Sequence, residues 1–356
     1  MKFILGKDRN QISFFCLEEQ IEQNNEIRFI ELFVNSINLA EAGFKLDFIE
    51  NGRPAYHPAD LLKLFLYGYL NRIRSSRQME KECKRNLELM WLMHGLVPDH
   101  NTIANFRKDN PQAIKNVFRS TVKLAKHFQL IGGKLLAGDG TKLRAQNSKK
   151  NNFNEKKIER HIVYIDAKLE EYSNALAEHD GDISTSSIPG EQKEKITSKI
   201  DQHQLHRKKY ERLMEQLEES GEVQISTSDP DSRQMIVRNN ITEVAYNVQT
   251  TVDAKHNILI NYEVTNENDS KAMGSMLEQA IVEHPFGIIK RQWDFYYIMA
   301  KQGISRASAD VGLIFTTFNL RRIFNIIDQN RLKRFLKKLA FYFLVLRTLF
   351  SAFYAS

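Results

Sequence analysis

The chain has 356 residues, of which 42% are hydrophobic and 27% charged, an ordinary globular composition that excludes a disordered or fibrous protein. Its two cysteines, Cys16 and Cys83, are too few for a disulfide framework or a four-thiolate zinc site, and they indicate a reducing compartment. The one long apolar run, residues 339–353, contains Arg347 and is too short for a membrane span. We therefore expect a cytoplasmic protein with no membrane partner.

The net charge of +7 is unevenly distributed along the chain. Residues 51–150 carry 19 basic and 7 acidic side chains, and residues 281–356 carry 12 and 4. Between them, residues 151–280 are acidic, with 15 basic and 24 acidic side chains. Because Lys and Arg neutralise phosphates and release condensed counterions, the two basic blocks favour nucleic acid as a partner over a role in solubility alone.

Residues 1–130 predict a helical N-terminal domain. Apolar residues follow helical spacing over 58–93 and 112–130, and Asp99 is expected to cap a short basic helix. Three short helices with tight breaks resemble a helix-turn-helix, a pattern that many small helical bundles share. The basic residues of this domain that we predict to contact DNA are Arg72, Arg74, Arg77, Lys84, Arg85, Arg107 and Lys108.

Residues 131–150 predict a strand that leads to a candidate catalytic acid. The apolar residues 135–137 precede Asp139, and Gly138 and Gly140 flank it. Glycine on both sides would let a phosphate backbone approach the carboxylate, as a metal site for phosphoryl transfer requires. The same tripeptide is equally typical of an ordinary turn.

The middle of the chain predicts a helical arm followed by strands. Residues 151–220 contain two charged, helically spaced segments separated by a loop rich in Gly, Ser and Pro. This hairpin is acidic, so we expect an inserted arm or a protein contact there and no DNA. Residues 244–264 alternate as a β-hairpin, with Asp253 at its turn and Asp269 as a cap of the next helix. Both of these acids therefore have structural explanations.

A second candidate acid, Glu283, lies near the end of that next helix. Lys290 and Arg291 follow it by about two turns, and residues 288–302 predict a further helix. A carboxylate followed by cations fits a metal ligand beside phosphate-binding bases, and it also fits a solvated surface. Residues 301–356 then predict a basic helical tail.

Four blocks of the chain resemble the transposases of bacterial insertion sequences that have a ribonuclease-H-like DDE core. Their order and spacing carry the likeness. Residues 52–110 resemble the family's N-terminal helical domain, and LLAGDGTKLRAQNSK (135–149) resembles the first core strand with its aspartate. Residues 228–235 and 246–273 resemble core strands two and three with the first core helix. IVEHPFGIIKRQWDFYY (281–297), with 312–326, resembles the terminal helix with the catalytic glutamate.

The resemblance implies an enzyme that binds the DNA ends of its element and cleaves and joins them to target DNA. It implies that Asp139 and Glu283 are catalytic and hold Mg²⁺ in a two-metal site, with Lys290 and Arg291 among the DNA contacts. It leaves a homo-oligomer open. The expected fold class is α+β, with an incomplete three-stranded core and an inserted helical hairpin. The expected domains are 1–130, helical; 131–150, first core strand; 151–220, arm; 221–300, remaining core; and 301–356, tail.

The chain departs from the family at one point. In the family, a fourth strand with a second catalytic aspartate follows the first core helix, whereas here residues 276–280 run directly into 281–287 with no aspartate between them. Without the second aspartate, the protein would neutralise the charge of two metal ions poorly. Without the fourth strand, the first strand would have an unpaired edge, or a helix would have to cover that edge. The sequence therefore predicts a transposase, with a catalytically defective DNA-binding remnant as the alternative.

Overall fold

The computed structural model describes residues 10, 14, 16–46, 54–181, 190–238, 241–267, 286–299 and 302–354. In these ranges helices pack against a small antiparallel sheet, and a long helical hairpin is inserted between strands of that sheet. The expected α+β class is confirmed.

The N-terminal part is helical, as its apolar periodicity predicts. Pro58 and Pro111 lie in the first turns of helices, where a missing N–H breaks no helical hydrogen bond. The predicted cap is confirmed, because Oδ1 of Asp99 accepts hydrogen bonds from the backbone N–H groups of Asn101 and Thr102 at 2.9 and 3.1 Å. The helices are α1 Leu17–Gln20, α2 Glu26–Asn35, α3 Leu39–Ala42, α4 Pro58–Leu70, α5 Ser76–Cys83, α6 Leu87–Leu92, α7 His100–Asp109 and α8 Pro111–His127.

The main sheet is built around one long strand, β5. It pairs antiparallel with β1 along one edge and with β6 along the other, and β4 pairs with its N-terminal end. The predicted hairpin is confirmed as β5 and β6. The described sheet has one strand, β4, in addition to the three expected. The strands are β1 Leu136–Arg144, β2 Asn152–Phe153, β3 Ile225–Ser226, β4 Arg233–Arg238, β5 Ile241–Asp253 and β6 Ile258–Thr265.

The inserted hairpin, called the arm below, consists of α9 Glu155–Gly181 and α10 Gly190–Ser220. Its two helices pack on each other, and its base buries Ile158, Leu213 and Phe153 in a small separate core. The predicted apolar position Leu205 is exposed instead. The short β2–β3 pair closes the base of the arm. The predicted helical hairpin is confirmed.

Three further helices complete the described fold: α11 Phe286–Arg291, α12 Ile304–Ile326 and α13 Gln329–Tyr354. Helix α12 is buried along most of its length and packs against α4, α8 and β6. Its first turn is capped from a distant segment, because Asp229 accepts from the N–H of Gly303 and Asp231 from the N–H of Ile304, both at 2.9 Å. These two carboxylates therefore fix where α12 begins.

The helix predicted over 288–302 is wrong in its extent, because α11 ends at Arg291. The chain then turns and runs extended beside β1, where Arg144 N–H donates to the carbonyl of Tyr296 (3.2 Å) and Ile298 N–H donates to the carbonyl of Arg144 (2.8 Å). This pairing covers the end of the β1 edge that faces away from β5. Tertiary pairing thus overrides local helical spacing in this segment.

Within the described ranges, no helix combines the length and the apolar character that crossing a membrane requires.

Candidate functional site

Asp139 lies in the middle of β1, opposite Thr250 of β5. Strand alternation places it on the same face of the sheet as Ala137 and Thr141, both of which are buried. The Asp139 side chain is half-buried, and its Oδ1 accepts a hydrogen bond from the N–H of Gly140 at 2.8 Å. The predicted catalytic aspartate is therefore held on a rigid strand and not in a turn.

Helix α11 brings Lys290 to the same face of β1. The Lys290 Nζ donates a hydrogen bond to the hydroxyl of Thr141, which is two residues beyond Asp139. Arg291, the next residue, is exposed. The structure therefore places a cation predicted to contact DNA next to the strand position predicted to be catalytic.

Glu283 and Asp269 lie outside the described residues, so the predicted approach of Glu283 to Asp139 stays a prediction. Asp253 projects from the face of the sheet opposite to Asp139, since its partner on β1 is Leu136. Its two carboxylate oxygens accept from the N–H groups of Gly132 and Gly133 at 2.9 and 2.8 Å. Asp253 thus has the structural role that its position in the hairpin predicts.

The resemblance implies a Mg²⁺ site built from several carboxylates. No group of three or more His, Cys, Asp or Glu side chains in the described part of the chain is close enough together to hold a metal ion. The described residues therefore do not fit this cofactor.

Two of the predicted DNA contacts, Arg74 and Arg107, are buried instead of lying at the surface. Both pair with Asp310 of α12, which is fully buried, at 3.5 and 2.9 Å. The Tyr69 hydroxyl and the Met299 N–H also donate to this carboxylate. Tyr69 of α4, Arg107 of α7 and Asp310 of α12 are thus joined to one another, and Arg74 joins the loop after α4 to the same carboxylate.

The charge state of Asp310 follows from this pairing. Burial by itself raises the pKa of a carboxyl group. Here the charges of Arg107 and Arg74, together with the hydrogen bonds from Tyr69 and from the backbone of Met299, outweigh burial and hold the pKa of Asp310 below its ordinary value. The carboxylate is therefore ionised in the folded protein at neutral pH.

The remaining predicted DNA contacts of the helical part are exposed. Arg72 lies in the turn after α4 with a positive φ of 61°, and Arg77 lies on the first turn of α5. Three others have acidic neighbours: Lys84 is 3.0 Å from Glu80, Arg85 contacts Glu82, and Lys108 is 3.9 Å from Asp109. Exposed pairs of this kind are weak and can exchange for phosphate contacts.

The structure also groups residues that the sequence did not connect. A cavity of about 420 Å³ lies between α5, α7 and the first turn of α12, and Arg77, Lys108 and Arg306 line it. Sequence reasoning missed Arg306 and Asp310. The one available signal was an aspartate within the apolar run ADVGLIF, because a charge on a buried helix face requires a partner.

Comparison with known proteins gives one match. A family model described as a transposase domain (DUF772) matches residues 15–109, which contain α1 to α7 and end before the sheet begins. No curated protein and no solved structure matches the chain. The match supports a transposase-type role for this protein.

Proposed function

We propose that this protein binds DNA, with residues 1–130 as its main DNA-binding domain, on the premise that residues 15–109 match a transposase domain. Helix α7 presents Asn101, Asn105 and Lys108 to solvent at successive turns of one face. Asparagine amides can form paired hydrogen bonds with adenine, and lysine contacts phosphates. This face has the residue types that contact DNA in the major groove.

The single observation that carries this proposal is the clustering of cations on that face. Arg77 of α5, Lys108 of α7 and Arg306 of α12 line one cavity, although Arg306 is about 200 residues distant in sequence. The two basic blocks of the chain, 51–150 and 281–356, therefore meet at the surface of α7. A DNA backbone is the polyanion that such a surface fits.

We further propose that this chain binds DNA without cleaving or joining it. The family chemistry needs carboxylates around two metal ions, and no group of three or more His, Cys, Asp or Glu side chains in the described ranges could hold a metal ion. The sequence between 276 and 287 lacks the family's second aspartate. Both observations favour the catalytically defective DNA-binding remnant.

An active transposase is the second candidate, and one observation favours it. Lys290 contacts Thr141 on the face of β1 that carries Asp139, so a phosphate could be held beside this carboxylate. In this candidate Asp139 and Glu283 hold magnesium, as the resemblance implies.

DNA binding is tested with the full chain and duplex DNA across a range of salt concentrations. Because each neutralised phosphate contributes about 0.9 to the slope of log K against log salt, Lys108→Gln and Arg77→Gln should each reduce the slope by about that amount. Lys168→Gln, on the acidic arm, is the control and should leave the slope unchanged. Absence of wild-type binding at low salt would contradict the proposal.

Strand transfer is tested separately, with magnesium and with manganese at DNA-saturating protein. We expect no cleaved or joined product. A product that disappears in Asp139→Ala would establish the active transposase in place of the remnant.

A further inference from the structure

A second polar cavity, of about 660 Å³, lies at the base of the arm, where α9 leaves the sheet. We call it the arm-base cavity. Its walls come from β1, the β2–β3 ribbon, the first turns of α9, and β4. Its lining includes Lys142, Asn152, Phe153, Arg160, Val223 and Ile236.

The arm-base cavity is positively charged, although the arm as a whole is acidic. Residues 142–160 carry seven basic and two acidic side chains. None of the described residues that line the cavity is acidic. Its rim is apolar and accessible, since Val223 is 84% exposed and Ile236 is 60% exposed. A cavity of this kind suits an anion with an attached apolar group.

Asn152, in the wall of the cavity, carries a buried hydrogen-bond donor. The residue is 1% exposed, and its Oδ1 accepts from Nδ2 of Asn147 at 3.1 Å. The Oδ1 of Asn147 accepts from the backbone N–H of Ser148 at 2.8 Å, so Nδ2 of Asn147 is the donor to Asn152. Nδ2 of Asn152 has no hydrogen-bond partner among the described residues. A buried donor without a partner is unfavourable, and an acceptor supplied by a ligand would satisfy it.

The cations at the cavity differ in what they bind. Lys157 is structural, because its Nζ donates to the carbonyls of Lys149, Lys150 and Asn152 at 2.7–3.1 Å. Arg160 donates from Nε to the Lys156 carbonyl at 3.0 Å, and no described residue accepts from its terminal nitrogens. The Arg160 guanidinium can therefore pair with an anion in the cavity.

We propose that the arm-base cavity binds a phosphodiester group of DNA. A phosphate oxygen accepts the hydrogen bond from Asn152 Nδ2, Arg160 neutralises the charge, and the rim at Val223 and Ile236 contacts the attached sugar or base. This inference rests on the proposed DNA-binding function and adds a second contact outside the matched domain. A phosphomonoester such as a free nucleotide has the same chemistry and is the other source of ligand.

Lys142 lies three residues beyond Asp139 on β1, so the two Cα atoms are about 10 Å apart and the two side chains project from opposite faces of the sheet. The arm-base cavity is therefore proposed as a DNA contact separate from the carboxylate of Asp139.

The test uses the full chain, duplex DNA and variants that are compared by salt dependence. Arg160→Gln should reduce the slope of log K against log salt by about 0.9. Asn152→Asp keeps the acceptor for Asn147 and replaces the donor by a negative charge, so DNA affinity should fall about tenfold or more. Arg212→Gln, on the exposed surface of α10 outside the cavity, is the matched control and should change neither quantity.

Folding is checked by thermal unfolding of each variant. If Asn152→Asp does not fold, Val223→Glu replaces it, because this side chain is exposed and a negative charge at the rim should lower DNA affinity without affecting the fold. Equal effects of Arg160→Gln and Arg212→Gln, or unchanged affinity in the cavity variants, would overturn the proposal.

Titration of the protein with inorganic phosphate and with deoxyadenosine monophosphate distinguishes a phosphodiester of DNA from a free nucleotide as the ligand. DNA binding that depends on Lys108 but on neither Arg160 nor Asn152 would refute the cavity and leave the proposed function standing. If the wild type binds no DNA, the proposed function fails. Monophosphate binding that is lost in Asn152→Asp would then support a phosphate site for a free nucleotide, and binding of neither probe would overturn the site as well.

Discussion

The substitution Asp310→Asn should strongly destabilise the folded protein. It removes the only negative charge that the described structure places against the buried guanidinium groups of Arg74 and Arg107. The amide keeps an acceptor for the Tyr69 hydroxyl, so the substitution removes charge while largely preserving shape. Removing one partner of a buried ion pair typically costs about 3–5 kcal/mol, because the remaining charge is buried without compensation.

Urea unfolding at neutral pH measures this effect. With a slope of about 3 kcal/mol per molar urea, a loss of about 3–5 kcal/mol lowers the unfolding midpoint by about 1 M or more. The control is Lys84→Gln, which breaks the exposed pair with Glu80 and should leave the midpoint unchanged. A loss below about 1 kcal/mol in Asp310→Asn would refute the view that this carboxylate joins α4, α7 and α12.

The dependence on pH has a definite sign. Because the pKa of Asp310 is lowered in the folded protein, its contribution is fully present above the unfolded-state pKa of about 3.9 and is lost as the pH falls through the folded-state pKa. The difference in the free energy of unfolding between wild type and Asp310→Asn should therefore be constant near neutral pH. It should narrow below about pH 4, and a difference that widens with acidification would contradict the assigned ion pair.

Two further substitutions test the packing around the candidate catalytic strand. Gly312→Ala should lower the free energy of unfolding by about 1–3 kcal/mol. A Cβ on this α12 residue would lie 2.4 Å from the Tyr262 hydroxyl and 3.1 Å from Ile114. A urea unfolding midpoint equal to that of wild type would contradict this prediction. Asp253→Ala should lower the free energy of unfolding by about 2 kcal/mol, because it leaves the N–H groups of Gly132, Gly133 and Lys255 without their acceptor. Amide hydrogen exchange measures this directly and should become faster at these three groups.

Much of the secondary structure could be predicted because its causes are local. Asp99 caps a helix by accepting hydrogen bonds from N–H groups only two and three residues further along the chain. The alternation that predicts β5 and β6 is visible within about ten consecutive residues of each strand. The arm follows from apolar residues at three- and four-residue steps. In each case the residues that determine the element are neighbours in the chain.

The differences between predicted and observed secondary structure have a common cause, which is hydrogen bonding between segments that are far apart in sequence. β4 lies outside the three expected strands and pairs with the N-terminal end of β5. Residues 296–298 belong to the segment with helical spacing but run extended, because the edge of β1 binds them. Hydrogen-bond partners outside the segment decided both conformations.

The sequence by itself determined the helical N-terminal part, the arm and the hairpin, and left open whether Asp139 lies in a strand or in a turn. Only the tertiary structure decided which charges serve the interior and which face solvent. Arg74 and Arg107 are as basic as Arg77 and Lys108, yet the first two are buried against Asp310 more than 200 residues away. The free energy of a charged side chain depends on its burial and its partners, and neither is encoded in the residues beside it.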